Sequence, residues 1–224
     1  MYRIHRAVHW ASLDAYIRSL SPEAWFLKGI GQTVTGSGVS QWDDISGNGR
    51  HLLQGTDAAR PALQADGSVL FNGTSHYLKC SAFTLNQPTC VLMVVNVKAW
   101  TANDRLFDGN ASDSVTALQN TSTPKISLNA GVALGPITPP LNELHVHKYV
   151  ANGASSSIGY DKNASTAGNA GTNNMGGFTL GARGVGDVPS NIQVYETVIF
   201  PIAPSTAQLD RLVAGLMARH GVAG

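Results

Sequence analysis

Charge is what this chain lacks most. Asp, Glu, Lys and Arg make up 13% of its 224 residues, and the formal net charge is +1. That is about half the charged share of an ordinary globular protein. No cluster of Lys or Arg appears, which excludes a nucleic-acid surface built on cations facing phosphates. Long apolar runs are missing too. The best, Cys90 to Val97, falls far short of the roughly 20 residues that a bilayer demands of a helix. The opening "MYRIHRAVHWASLDAYIRSL" has neither a continuous apolar stretch nor a small-residue cleavage site, so it reads poorly as an export signal. Cysteine is scarce: Cys80 and Cys90 stand alone. Their spacing fits neither a redox CxxC nor a zinc framework. They read as two small buried residues, with a disulfide between them left open.

What is present divides into three zones. In the first, "SLDAYIRSL" places Leu13, Tyr16, Ile17 and Leu20 at helical spacing behind Ser12 as N-cap. Residues 1–21 are expected to form a helical arm, and 22–224 the main domain. The second zone, about 34–202, alternates short β-rich units with Gly, Asn, Ser and Pro. Examples are "GSVLFNG", "TCVLMVVNVKAW", "ELHVHKYV" and "NIQVYETVIF". Such spacing without helices between the strands predicts an antiparallel sandwich or barrel rather than a parallel sheet. The third zone is a helix over 205–220. Ser205 and Gln208 stand in capping-box spacing, and Leu209, Leu212, Val213, Leu216 and Met217 fall on one face. Gly221 follows as a natural stop. Packing on its own domain is the expected use of that face.

The ordered set "VSQWDDISGNGRHLLQ", "RPALQADGSVLFNGTSHYL", "LNQPTCVLMVVNV", "FTLGAR" and "IQVYETVIFPIAPSTAQLDRLVAGLMARHG" resembles the concanavalin A-like lectin/glucanase superfamily. Within it, the laminin-G-like jelly roll of the bacterial and phage type is the nearest in pattern. The resemblance covers about residues 22–221. It implies an all-β, two-sheet antiparallel jelly-roll sandwich with a short N-terminal helical arm and a C-terminal α-helix. It also implies that the "WDDISGNG" stretch is a structural turn. Trp42 would anchor it in the core, Asp44 and Ser46 would accept backbone N–H groups, and Gly47 and Gly49 would flank Asn48 in positive φ. The residues agree. A phosphate loop needs GK[ST] where "GNGR" stands, and a Ca²⁺ loop needs D-x-[DN]-x-[DN]-G. A Ca²⁺ ion at Asp43 or Asp44 stays open, and no other cofactor is implied.

Catalytic patterns are hard to find. Glucanases of this superfamily carry alternate carboxylates on one strand, about 5 Å apart. Here the nearest strand, "NIQVYETVIF", has only Glu196, expected on its solvent side. His145 and His147 share one strand face and, with Glu143, are weighed as Zn²⁺ ligands. The preferred reading leaves them on an exposed or groove-lining polar face, with Leu144, Val146 and Val150 pointing to the core. Glycan binding asks less: an aromatic ring for a sugar face and a few polar groups for its hydroxyls. Trp100, Asp104, Asp108, Asn110, Tyr160 and Asp161 are the loop candidates.

The functional expectation is a non-enzymatic bacteriophage virion protein, at the surface or the tail. It would contact other virion subunits or copies of itself, and glycans through a lectin-like face, without nucleic acid or membrane. A secreted, cell-surface carbohydrate-binding or adhesin module is the alternative. A divergent polysaccharide hydrolase or lyase ranks third.

Overall fold

A computed structural model of the chain describes residues 12–120 and 125–223. In chain order it shows helix α1 (12–19), β1 (Ala24–Leu27), β2 (Gln32–Thr35), β3 (Gly38–Trp42), β4 (Leu52–Leu53), β5 (Ala62–Leu63), β6 (Val69–Asn72), β7 (Leu78–Lys79) and β8 (Thr89–Val97). There follow β9 (Arg105–Asp108), β10 (Thr116–Gln119), β11 (Ile126–Asn129), β12 (Ala133–Ile137), β13 (Leu144–Ala151), β14 (Ser156–Tyr160), β15 (Thr166–Gly168), β16 (Thr179–Leu180), β17 (Asn191–Phe200) and α2 (Thr206–His220). Two antiparallel sheets result. Sheet A runs β15-β14-β13-β8-β17-β6-β5, with β1 also paired to β17. Sheet B runs β12-β11-β10-β9-β16-β7-β4-β3-β2. This is an all-β, two-sheet sandwich with one helix at each end of the chain.

Strand β8 explains the layering. All nine of its residues are buried. Val91, Met93, Val95 and Val97 enter the core between the sheets, while Cys90, Leu92 and Val94 face the other way. A strand apolar on both sides needs cover on both sides. Sheet B supplies one cover, through Trp42, Leu78, Phe107 and Phe178 among others. The two helices supply the second: Leu13 and Ile17 of α1 pack with Leu212, Val213, Leu216 and Met217 of α2. Helix α2 keeps its capping box. The Ser205 hydroxyl accepts from the Gln208 N–H and the Gln208 side chain accepts from the Ser205 N–H, while Gly221 closes the helix at φ 68°.

The N-terminal helix expected in the first zone is present: α1 belongs to the helical layer, and residues 1–11 lie outside the described residues. Cys80 and Cys90 are both free and buried, as the preferred reading of them has it. Cys80 sits between the sheets and Cys90 under the helices, which removes the disulfide and the metal or redox pair.

Glu196 does overturn an expectation, that of a side chain on the solvent side of its strand, and the reason is a β-bulge. Pairing of β17 with β8 shifts register between Val194 and Glu196. Before the shift Ile192 and Val194 point between the sheets; after it Ile199 does, and Val198 and Phe200 face the helices. One extra residue inverts the alternation. Glu196 therefore faces the helical layer and has no solvent exposure. Its carboxylate accepts from Trp25 Nε1 at 2.7 Å, Arg219 Nη1 at 2.8 Å and His220 Nε2 at 2.6 Å. Arg219 also pairs with Asp14 of α1. One carboxylate thus ties sheet A to α2 and, through Arg219, to α1. Removing one member of a buried charge network leaves the others unpaired, at about 3–5 kcal/mol. Glu196→Ala is expected to lower unfolding free energy by that amount in urea denaturation, well beyond the effect of Lys98→Ala on a half-buried side chain.

Candidate functional site

The Asp44 turn is built for structure. Asp44 is 7% exposed. Its Oδ1 accepts the N–H groups of Trp25 (2.9 Å) and Ser46 (2.8 Å), and its Oδ2 accepts the Ser46 hydroxyl (2.8 Å) and the Arg50 N–H (2.9 Å). Asn48 Nδ2 donates to the carbonyls of Pro22 and Glu23, both at 3.1 Å. Gly47 and Gly49 have φ of 105° and 70°, where a side chain would be strained. Trp42 is fully buried and donates Nε1–H to Leu27 O at 3.2 Å. Four donors on two oxygens fill Asp44 from within the protein and leave no lone pair facing outward for a cation.

Asp108 plays the same part elsewhere. It is fully buried, and its carboxylate accepts the N–H groups of Gly109, Asp113, Ser114 and Gly184. Burial still pushes its pKa upward, against those four bonds. The adjoining Asn110 gives its carbonyl to Lys79 Nζ at 2.8 Å. Asp108 has no oxygen free for a sugar. Asp108 closes β9, whereas Asp104 precedes its start.

The remaining candidates do share one end of the sandwich. Strand β8 leaves the sheet at Val97 toward Trp100, β13 begins opposite it with Leu144 paired to Asn96, and β14 ends at Tyr160 paired to His147. Strand β10 ends there too, since Gln119 N–H meets Asp104 O at 2.9 Å. Trp100, Leu141 and Tyr160 all pack, half-buried, on the margin of the inter-sheet core.

At this end the histidines point inward. Val146 and Val150 face the helices, so alternation sends His145, His147 and Tyr149 toward sheet B, where Tyr149 meets Phe107 edge-on at 5.1 Å. That corrects their expected outward placement. His145 Nδ1 lies 2.7 Å from Asp161 Oδ2, and Asp161 Oδ1 accepts the Val146 N–H at 2.7 Å. The Tyr160 ring meets His145 edge-on at 5.3 Å. His147 Nδ1 lies 2.9 Å from the Tyr149 hydroxyl. The Zn²⁺ reading finds no support: among the described residues no group of three or more His, Cys, Asp and Glu is arranged to hold a metal ion.

Several polar atoms at this end are closed off from solvent and without a hydrogen-bond partner. They are Trp100 Nε1, His145 Nε2, His147 Nε2, Asn96 Oδ1 and Arg105 Nε. Proteins rarely leave such atoms unpaired, and each calls for an explanation. The nearest acidic atom to His145 Nε2 is Glu143 Oε2 at 3.8 Å, too far for a hydrogen bond. Sequence reasoning found Trp100, Asp104, Tyr160 and Asp161 from residue type, but missed the part of His145. The signal was its period-two spacing from Tyr149, which marks a common face.

Two titrations shape the electrostatics. Burial drives the His147 pKa down to about 3, with the neighbouring His145 charge adding to it; the ring is neutral and shares one hydrogen bond with the Tyr149 hydroxyl through Nδ1. Burial raises the Asp104 carboxyl to about 6, against the Thr101 hydroxyl and the Arg105 charge. The two shifts act on stability in opposite directions. His147 contributes stability that is full above about pH 6.5 and is lost as pH falls toward 3. Asp104 contributes stability that is full below about pH 4 and is lost as pH rises through 6. Urea denaturation across this range is expected to show Asp104→Asn more stable than the parent at neutral pH, with the gain vanishing in acid. His147→Gln is expected to flatten the loss below pH 6.5.

Neither a family model nor a curated protein matches the sequence. Solved structures do match the fold. Trypanosoma rangeli sialidase superposes with a TM-score of 0.65 at 11% identity, over 97% of this chain and 39% of that one. A GH54 α-L-arabinofuranosidase soaked with 4-nitrophenyl α-L-arabinofuranoside gives 0.62 at 12% identity, over 88% of this chain and 59% of that one. The same kind of enzyme soaked with a cyclic sulfate inhibitor gives 0.60 at 14% identity. The chain spans less than two thirds of each neighbour. At such identity the likeness shows the fold alone. It nevertheless corrects the functional expectation. The sialidase and the arabinofuranosidases named here are glycosidases, which overturns the expected non-enzymatic bacteriophage component.

Proposed function

We propose that this chain is the sugar-handling sandwich of a carbohydrate-processing protein, of the laminin-G-like, concanavalin A type. Glycan docks at the sandwich end that carries Trp100, Asp104, His145, Tyr160 and Asp161. One observation carries the reading: two half-buried aromatic rings, Trp100 and Tyr160, lie at the same end as the buried His145–Asp161 pair. A sugar ring has an apolar C–H face and a rim of hydroxyls. The rings suit the face. Asp161 fixes the orientation of His145 through Nδ1, as second partners do for working histidines. Asp104, with its pKa raised to about 6, is partly protonated near neutrality, as a group lending a proton to a glycosidic oxygen must be. The glycosidase neighbours support the carbohydrate class and leave the sugar to experiment.

A glycan array on the full chain, followed by calorimetry on the best ligand, tests this. Trp100→Ala and Tyr160→Ala are each expected to weaken binding about tenfold, or about 1.4 kcal/mol, with melting little changed. On 4-nitrophenyl glycosides, any turnover is expected to fall in Asp104→Asn while glycan affinity persists. Array binding that survives both aromatic substitutions intact sinks the assignment of this end.

A further inference from the structure

A second site lies on the opposite face of sheet A. Helix α2 does not cover β13 and β14 completely, and a groove of about 510 Å³ remains between their outer face and the first turns of the helix. Lys148 is in its wall. It alternates with Val146 and Val150 on β13 and so faces the helical side. It is only 5% exposed. Its registered partner across the sheet is Gly159, where an added Cβ would come within 2.7 Å of Lys148 Cε and 2.6 Å of Ser165 Oγ. The missing side chain leaves room for the lysine stem to cross β14 and deliver its ammonium to Asn163 O at 2.8 Å. That is the only acceptor the described residues offer it. Burial lowers the Lys148 pKa, and the charges of Asp210 and Asp161 work against that fall. A lysine that is nine-tenths buried with a single neutral acceptor holds two N–H groups in reserve. Such a charge is normally paired.

The rest of the groove indicates what would pair with it. Lys162 adds a second cation, and Ser157, Ser165 and Thr206 line the walls with hydroxyls. Leu209 adds an apolar patch, and Asp210 stands at the rim and continues into an adjoining cleft with Lys162 and Val213. A polyanion would meet Asp210 unfavourably. A sugar with one carboxylate suits both signs: its acid group takes the free Lys148 N–H groups in charge-assisted bonds, and its hydroxyls donate to Asp210. From this geometry we infer that the groove between β13, β14 and α2 is a binding site for a monoanionic, carboxylated sugar, separate from the sandwich-end site.

The experiment is a titration of the full chain, followed by two-dimensional NMR, with methyl β-D-glucuronide, methyl β-D-glucoside and inorganic sulfate. The glucuronide is expected to give saturable shifts at residues 148, 162–165 and 206–210, and the neutral glucoside and sulfate to bind at least tenfold more weakly. Lys148→Met is expected to weaken the glucuronide at least tenfold. Lys162→Gln, at an exposed position, is expected to weaken it severalfold without touching the fold, and so serves if Lys148→Met unfolds. Trp100→Ala is expected to leave the glucuronide titration unchanged, which separates this site from the sandwich end. Equal binding of glucoside and glucuronide overturns the inference. So does sulfate binding as well as the glucuronide, which marks a bare anion site, or saturation with no shift at these residues.

Discussion

Burial of β8 on both faces sets the terms for everything around it. With no solvent side on its central strand, sheet A cannot stand as an ordinary half-exposed antiparallel sheet. One face takes sheet B; the other takes α1 and α2. The buried Glu196 carboxylate then becomes the fixing point of the second interface, because it binds β1, β17 and α2 at once. A carboxylate in that position is tolerated only with a full set of donors, and Trp25, Arg219 and His220 provide them. The consequence for function is spatial. Most of the outer face of sheet A is occupied, so ligands are left with the ends of the sandwich and the margin that α2 does not reach.

The scarcity of charge gives each carboxylate a visible assignment. Asp44 and Asp108 each gather four donors and hold a turn closed. Asp161 does so while also orienting His145. Asp104 differs. Its surroundings favour the neutral acid, and it sits at the end where indole and imidazole nitrogens lack partners. The contrast between carboxylates saturated by backbone N–H groups and one held near neutrality separates scaffold from candidate chemistry in this molecule.

The glycosidase neighbours give that contrast a context without supplying the answer. A sandwich of this kind hosts many activities, and the working residues belong to the site rather than the fold. The missing strand of alternate carboxylates counted against an enzyme only while strands were considered singly. Once sheets face each other, groups from β13, β14 and the loops before β9 share one end.

Much of the architecture was legible in local sequence because its causes are local. The capping box at Ser205, the apolar face of α2 and the stop at Gly221 depend on residues within a few positions of one another. So does the Asn72–Gly73 turn, where Asn72 Oδ1 accepts the N–H groups of Thr74, Ser75 and His76. Pairing partners are a different matter. The bulge that turned Glu196 beneath the helices arises between β17 and β8, distant strands whose register no local pattern records. The inward turn of His145 and His147 depended on which face of sheet A met sheet B, and period-two alternation is the same read from either side. The meeting of His145 with Tyr160 required β13 and β14 to pair in one register. Composition and local periodicity therefore determined the elements and their caps, while register and layer contact, which are long-range, decided which side chains the site contains.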